Sequence, residues 1–196
     1  MKMPARPIRK FPARLLAFLR DCRGVAAIEM AFIAPVMLLI YFGTVDTANW
    51  YMAHRRLVTA GNTMADLTTQ NTTTITGADM KKYWDATSLA IALAPTDGIK
   101  VTVRDFRIEG STAKQQWQYS PGGTTATCGA NRTTPELQEI RNNEMTDAND
   151  IVMVEVCTAM PPIALQVFGY DTLNIQYTIK YRPRLSKTLD CTSGCS

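Results

Sequence analysis

Residues 24 to 45 constrain this chain more than any other stretch. They read Gly24-Val-Ala-Ala-Ile-Glu-Met-Ala-Phe-Ile-Ala-Pro-Val-Met-Leu-Leu-Ile-Tyr-Phe-Gly-Thr-Val45, with one charged residue, Glu29. A helix over the 21 residues that follow Gly24 rises about 30 Å, the thickness of a bilayer's hydrocarbon core. The run therefore predicts a membrane-spanning helix over 25–45. A carboxylate inside such a span costs roughly 2.5 kcal/mol or more on insertion scales, so Glu29 marks function. Pro35 removes a hydrogen bond from the helix interior and predicts a kink.

Charge is divided sharply about this run. Residues 1–24 hold seven of the 21 Lys and Arg residues and one of the 17 acids, Asp21. The remainder has 14 basic against 16 acidic residues, a net of −2. The overall charge of +4 thus belongs to a basic leader, and nucleic-acid binding gains little support from it. Positive flanks stay in the cytoplasm, which puts the leader inside and the bulk of the chain across the membrane. The run exceeds the length of an ordinary signal-peptide core, and no small-x-small cleavage site ends it, so the span is expected to be retained.

The opening Arg23-Gly24-Val-Ala-Ala-Ile-Glu29-Met-Ala31, followed by Pro35, resembles type IV prepilins. More narrowly, it is similar to the TadE/TadG-like proteins of tight-adherence (Tad) pilus systems, over residues 20 to 50. The resemblance implies a cut between Gly24 and Val25 by a prepilin peptidase. Glu29 then becomes the fifth mature residue, and its carboxylate can neutralise the new amine of Val25, within one chain or between neighbours. The implied function is a pilin-like subunit (a minor pseudopilin) or an assembly factor of a Tad-type pilus. The implied location is the bacterial inner membrane, single-pass, with the C-terminal domain in the periplasm or in the pilus. The implied partners are the membrane, other pilin-like or Tad assembly proteins, and the peptidase. The alternative is an unprocessed, membrane-anchored periplasmic binding module.

Past the span, Trp50, Leu57 and Met64 recur at seven, as do Ala53, Ala60 and Leu67. This stripe predicts that the helix continues to about residue 68 and packs on a domain or a partner. Trp50 and Tyr51 suit the membrane–water boundary. Gly61-Asn62 reads as a soft spot, and His54, the only histidine, as part of a solvated face. The Thr-rich stretch 68–76, closed by Gly77, reads as a linker.

Beyond it, Ala78–Leu93 is expected as a helix with Met80, Tyr83, Trp84, Thr87 and Ile91 on one side. Strands are expected over Lys100–Ile108, with a phase slip at Arg104-Asp105, and over Gln115–Tyr119, Asp150–Cys157 and Thr172–Tyr181. A helix should open at Thr134-Pro135 and end near Asn143, and Ile163–Phe168 should make one helical turn before Gly169. Without a strand–helix–strand rhythm, the fold class is α+β: a long N-terminal membrane-spanning helix, extended outside the membrane, covering a small antiparallel sheet. The expected organisation is leader 1–24, span 25–45, amphipathic extension 46–70, linker 71–77, α+β domain 78–185 and tail 186–196.

Four of the five cysteines, Cys128, Cys157, Cys191 and Cys195, fall on the exported side, and Cys22 lies in the leader. An even number in an oxidising compartment favours disulfides. Of three possible pairings, Cys128–Cys157 and Cys191–Cys195 are preferred, with Gly194 easing the small second ring. Zinc is a poor rival, since no histidine lies near these cysteines. No phosphate loop, His-Glu-x-x-His or Gly-x-Ser-x-Gly occurs, so no enzyme activity, catalytic residue or cofactor is expected. The acid pairs Asp147/Asp150 and Glu136/Glu139 read as surface charge.

Overall fold

A computed structural model describes residues 23–90, 98–109, 112–120 and 149–196. Residues 1–22 of the expected leader, with Cys22, the helix from Thr134, Cys128, Ile91 and the acids Glu136, Glu139 and Asp147 lie outside the described residues. The chain divides into two units, Met1–Thr44 and Val45–Ser196.

Helix α1 covers Arg23–Thr69 with Pro35 inside it. It is the one described helix long and apolar enough to cross a membrane, and none of its most apolar 18-residue window is buried. In the first unit its side chains stand exposed on all sides, among them Ile28, Phe32, Leu38 and Tyr41. A helix that is apolar all round needs lipid or protein as its solvent.

In the second unit α1 changes character. Leu57, Ala60, Met64 and Ala65 are fully buried; three- and four-residue spacings put them on one face. They join one core with Ile75, Met80, Trp84, Ile99, Val101, Val103, Trp117, Val152, Val154, Val156, Ile175 and Leu189. Gly61 is no soft spot: a Cβ there would come within 3.0 Å of the Tyr177 ring. Its missing side chain lets α1 approach the sheet closely. Trp50, at the membrane end of the stripe, stays exposed. His54 is half-buried rather than solvated, stacked on Trp50 at 5.6 Å and edge-on to Tyr177 at 6.1 Å.

The main sheet has four strands in the order β3-β2-β4-β5: β2 (Ile99–Glu109), β3 (Thr112–Tyr119), β4 (Ile151–Met160) and β5 (Leu173–Tyr181). Every pairing is antiparallel. In β4, residues 151 to 157 are all buried, which fits its continuous apolar run. Val152, Val154 and Val156 face the core shared with α1. Ile151 and Met153 join Phe106 and Ala113 in a second cluster.

The expected phase slip in β2 has a different origin. β2 pairs with β4 without interruption from Ile99 to Phe106. The irregularity is against β3, where Asp105 opposes Trp117 and Phe106 opposes Gln115, leaving Gln116 as the extra residue. Alternation looked broken because both faces of β2 are buried, so Asp105 takes a core-facing place that an apolar residue would normally hold.

Two short elements escaped the pattern. The stretch expected as a linker contains β1 (Thr74–Thr76), and the Cys-containing tail contains β6 (Asp190–Ser193). They pair in parallel, Ile75 opposite Cys191. Three or four residues are too few to show a period. Thr76 caps the helix α2 (Gly77–Ala90): its Oγ1 accepts the Asp79 amide at 3.2 Å and donates to the Asp79 carboxylate at 2.7 Å. The first of these bonds satisfies an orphan amide of the helix start, and the Thr76 hydroxyl holds the Asp79 carboxyl below its ordinary value. After β4, Pro161-Pro162 breaks the strand, and a 3-10 turn follows at Leu165–Phe168, ended by Gly169 at φ 84°. Asp46 of α1 reaches this segment and accepts the amides of Ile163 at 2.8 Å and Ala164 at 2.7 Å.

Candidate functional site

The residues singled out at the N-terminus lie in the exposed part of α1. Gly24 has no neighbouring atom within 4 Å of where a Cβ would stand. Val25 is exposed, and so is Glu29, five residues after Gly24. In a helix that separation is about 1.4 turns. The carboxylate is thus held within the first turns, against a background of apolar side chains. Pro35 lies one and two-thirds turns further on, inside continuous helix; its ring denies the Ala31 carbonyl the amide it would otherwise receive. Chemically, the arrangement offers an exposed Gly24–Val25 bond and one exposed acid among apolar side chains. It offers no reacting pair.

Charge in the second unit is handled differently. Arg104 and Glu155, each 1 % exposed, form a hydrogen-bonded ion pair across β2 and β4. The Arg104 Nε also donates to Gln118 at 2.9 Å. Asp150 corrects the surface reading: it is fully buried. Its carboxylate accepts Arg107 Nε and Nη2, both at 2.7 Å, and the Leu189 amide at 2.7 Å. Arg107 also donates to Asp190 at 2.9 Å. The hydrogen bond to Asp150 holds Arg107 firmly in its charged form. This fork ties β6 and the segment before it to β2 and β4.

Asp105 sits beside this network with neither carboxylate oxygen accepting a hydrogen bond. Burial, and next the Asp150 carboxylate within hydrogen-bonding reach, push its pKa from 3.8 up to about 9. A neutral Asp105 can donate its proton to Asp150, which two charged carboxylates could not share. The sequence signal was the Arg104-Asp105 interruption of an apolar alternation. Arg104, Glu155 and Asp105 were not singled out from sequence because a charged residue inside a strand reads as solvent-facing unless both faces are known to be covered.

Cys191 and Cys195 are bonded to each other, and Gly194 in their loop takes φ 75°. The loop rests against α2: a Cβ on Gly77 would stand 2.5 Å from the Gly194 carbonyl oxygen. Cys157 is also disulfide-bonded, to a partner outside the described residues. Among the described residues no group of three or more His, Cys, Asp or Glu side chains is arranged to hold a metal.

No curated protein and no solved structure matches this chain. A family model does match. Residues 24–66, from the glycine before the apolar run to the buried end of α1, match the family described as TadE-like protein, which makes this segment TadE-like and the chain consistent with a TadE/TadG-like, Tad pilus-related protein.

Proposed function

We propose that this chain is a pilin-like subunit, a minor pseudopilin, or an assembly factor of a Tad-type pilus. It is cut after Gly24 by a prepilin peptidase and held in the inner membrane by residues 25–45. The basic leader lies in the cytoplasm and the domain from Val45 in the periplasm. The observation that carries this reading is the exposed placement of Gly24, Val25 and Glu29 at the start of an unburied apolar helix, within the TadE-like match. An apolar helix exposed all round packs readily with others of its kind. A carboxylate four residues from a new amine gives such packing a register, because each charge is costly in hydrocarbon without the other.

Cys128 is the partner proposed for Cys157. Both would face an oxidising compartment, and Cys22 would remain on the reducing side. The organisation proposed is leader 1–24, span 25–45 and an exported remainder.

The test is the N-terminus of the protein isolated from the envelope of its host. Sequencing should begin at Val25, and Gly24→Val should leave the full-length chain. A native protein that keeps its leader while pili form normally would overturn the pilin-like reading and favour an unprocessed anchored binding module.

A further inference from the structure

The segment that follows β4, residues 161–170, exposes an unusual amount of apolar surface for a folded domain. Ile163 is 48 % exposed, Val167 74 %, Phe168 63 % and Tyr170 58 %. From Pro161 to Thr172 the only charged residue is Asp171. Five amides of the segment are already bonded. Asp46 accepts the amides of Ile163 and Ala164, while those of Val167, Gly169 and Tyr170 go to carbonyls within the segment. Amides bonded internally are the condition for placing irregular backbone near hydrocarbon, where an unmet amide costs several kcal/mol.

The latch is the informative residue. Asp46 is the first charged residue after the apolar run and lies directly after Val45. Two hydrogen bonds from it tie the segment to the first residues of α1 in the second unit. Trp50 and Tyr51, one turn further on, are also exposed, and such aromatics favour the membrane–water boundary. The opposite end of the domain lies elsewhere: Thr87 of α2 meets Met64, and from Asp46 to Met64 the helix rises about 27 Å.

The geometry points to a second membrane contact. Ile163, Val167, Phe168 and Tyr170 enter the headgroup–acyl boundary of the bilayer that α1 crosses, and Asp46 holds them there. The inference rests on the anchored reading of α1. The occupant is lipid because the patch lies next to the end of the span and is almost uncharged. An amphipathic surface of this kind binds by buried apolar area. The domain is then held at two points, and its tilt against the membrane is restricted.

The test uses the full chain in vesicles of phosphatidylethanolamine and phosphatidylglycerol, in a Cys22→Ser background, with single nitroxide labels at Phe168→Cys, Leu38→Cys or Lys81→Cys. Collisions with oxygen, which enriches in lipid, are compared with collisions with a water-soluble nickel chelate. The expected oxygen-to-nickel ratio is highest at 38, severalfold above the aqueous control at 81 for position 168, and independent of the protein-to-lipid ratio. A label at 168 as open to nickel as that at 81, with 38 still in lipid, overturns the second contact and leaves the anchor intact. A label at 38 open to nickel overturns the anchor and the contact together. Shielding at 168 that appears only at high protein density overturns lipid in favour of another copy of this chain.

Discussion

The two halves of α1 pose one problem in opposite surroundings. Before Val45 the apolar side chains are exposed and the lone acid, Glu29, is exposed among them. After it, Leu57, Ala60 and Met64 are buried, and the buried charges Arg104, Glu155 and Asp150 are partnered within the fold, Arg104 with Glu155 and Asp150 with the half-buried Arg107. The second unit resolves its desolvation costs internally. The first, apolar all round, needs lipid or protein as its surroundings. The largest expected effects follow from breaking that contrast at its two acids.

Glu29→Leu should leave the second unit folded and should insert at least as well as the native chain, since an acid in the span is unfavourable. On the pilin-like reading, pilus assembly should fail completely, because the Val25 amine that the proposed cut creates would then stand unpaired in the membrane. Complementation of a deletion strain, scored for the mass of the processed chain and for surface pili, checks this. Normal pili would mean that Glu29 is only an insertion cost.

Glu155→Ala should act in the reverse sense, on folding rather than assembly. Removing one member of a fully buried ion pair costs about 3–5 kcal/mol, because the other charge stays buried without its partner. The double variant Arg104→Met/Glu155→Leu should recover most of that loss. Urea unfolding of the detergent-solubilised chain measures both. A single variant within 1 kcal/mol of the native protein would show that Gln118 and water suffice for Arg104.

The same contrast explains what could be read from the sequence. The long apolar helix was legible because a 21-residue run with a single charge has few other uses, and the stripe Leu57-Ala60-Met64 because a helix face repeats. Strands β2, β4 and β5 were legible from apolar runs or alternation. Burial of Asp150 was not, since nothing local distinguishes it from a loop acid. It depends on Arg107, 43 residues earlier, and on the Leu189 amide, 39 later. The pairing of β1 with β6 joins Ile75 to Cys191, and such contacts leave no local period. Asp46 was passed over for the same reason: its partners lie 117 and 118 residues away.

Asp105 should give a smaller, pH-dependent effect. Its folded pKa of about 9 lies above the ordinary 3.8. Between those values the folded state holds a proton that the unfolded chain has released. Stability is therefore greatest on the acid side and falls as pH rises towards 9, by at most about 1.4 kcal/mol per pH unit. Asp105→Asn keeps a neutral donor facing Asp150 and removes the titration. The variant should gain on the native protein by about 2 kcal/mol between pH 6.5 and pH 8. Thermal unfolding at the two pH values reads the difference. Parallel pH profiles for the two proteins would mean that Asp105 is charged in the fold.

The smallest effect is expected at the Cys191–Cys195 bridge. The two residues are separated by four positions, and in the chain-entropy model so short a loop contributes about 2 kcal/mol. The tail also has attachments of its own. Trp117 Nε1 donates to the Leu189 carbonyl at 2.7 Å, Asp150 accepts the Leu189 amide, and Ser196 exchanges two backbone hydrogen bonds with Gln118. Cys191→Ser should therefore lower the midpoint by about 4–8 °C while Trp117 stays buried and its emission unshifted. A red shift with the larger loss expected of Glu155→Ala would show that the bridge, and not the Asp150 fork, holds β6 against β1. The tail would then depend on covalent closure instead of on the paired charges that hold the rest of the domain.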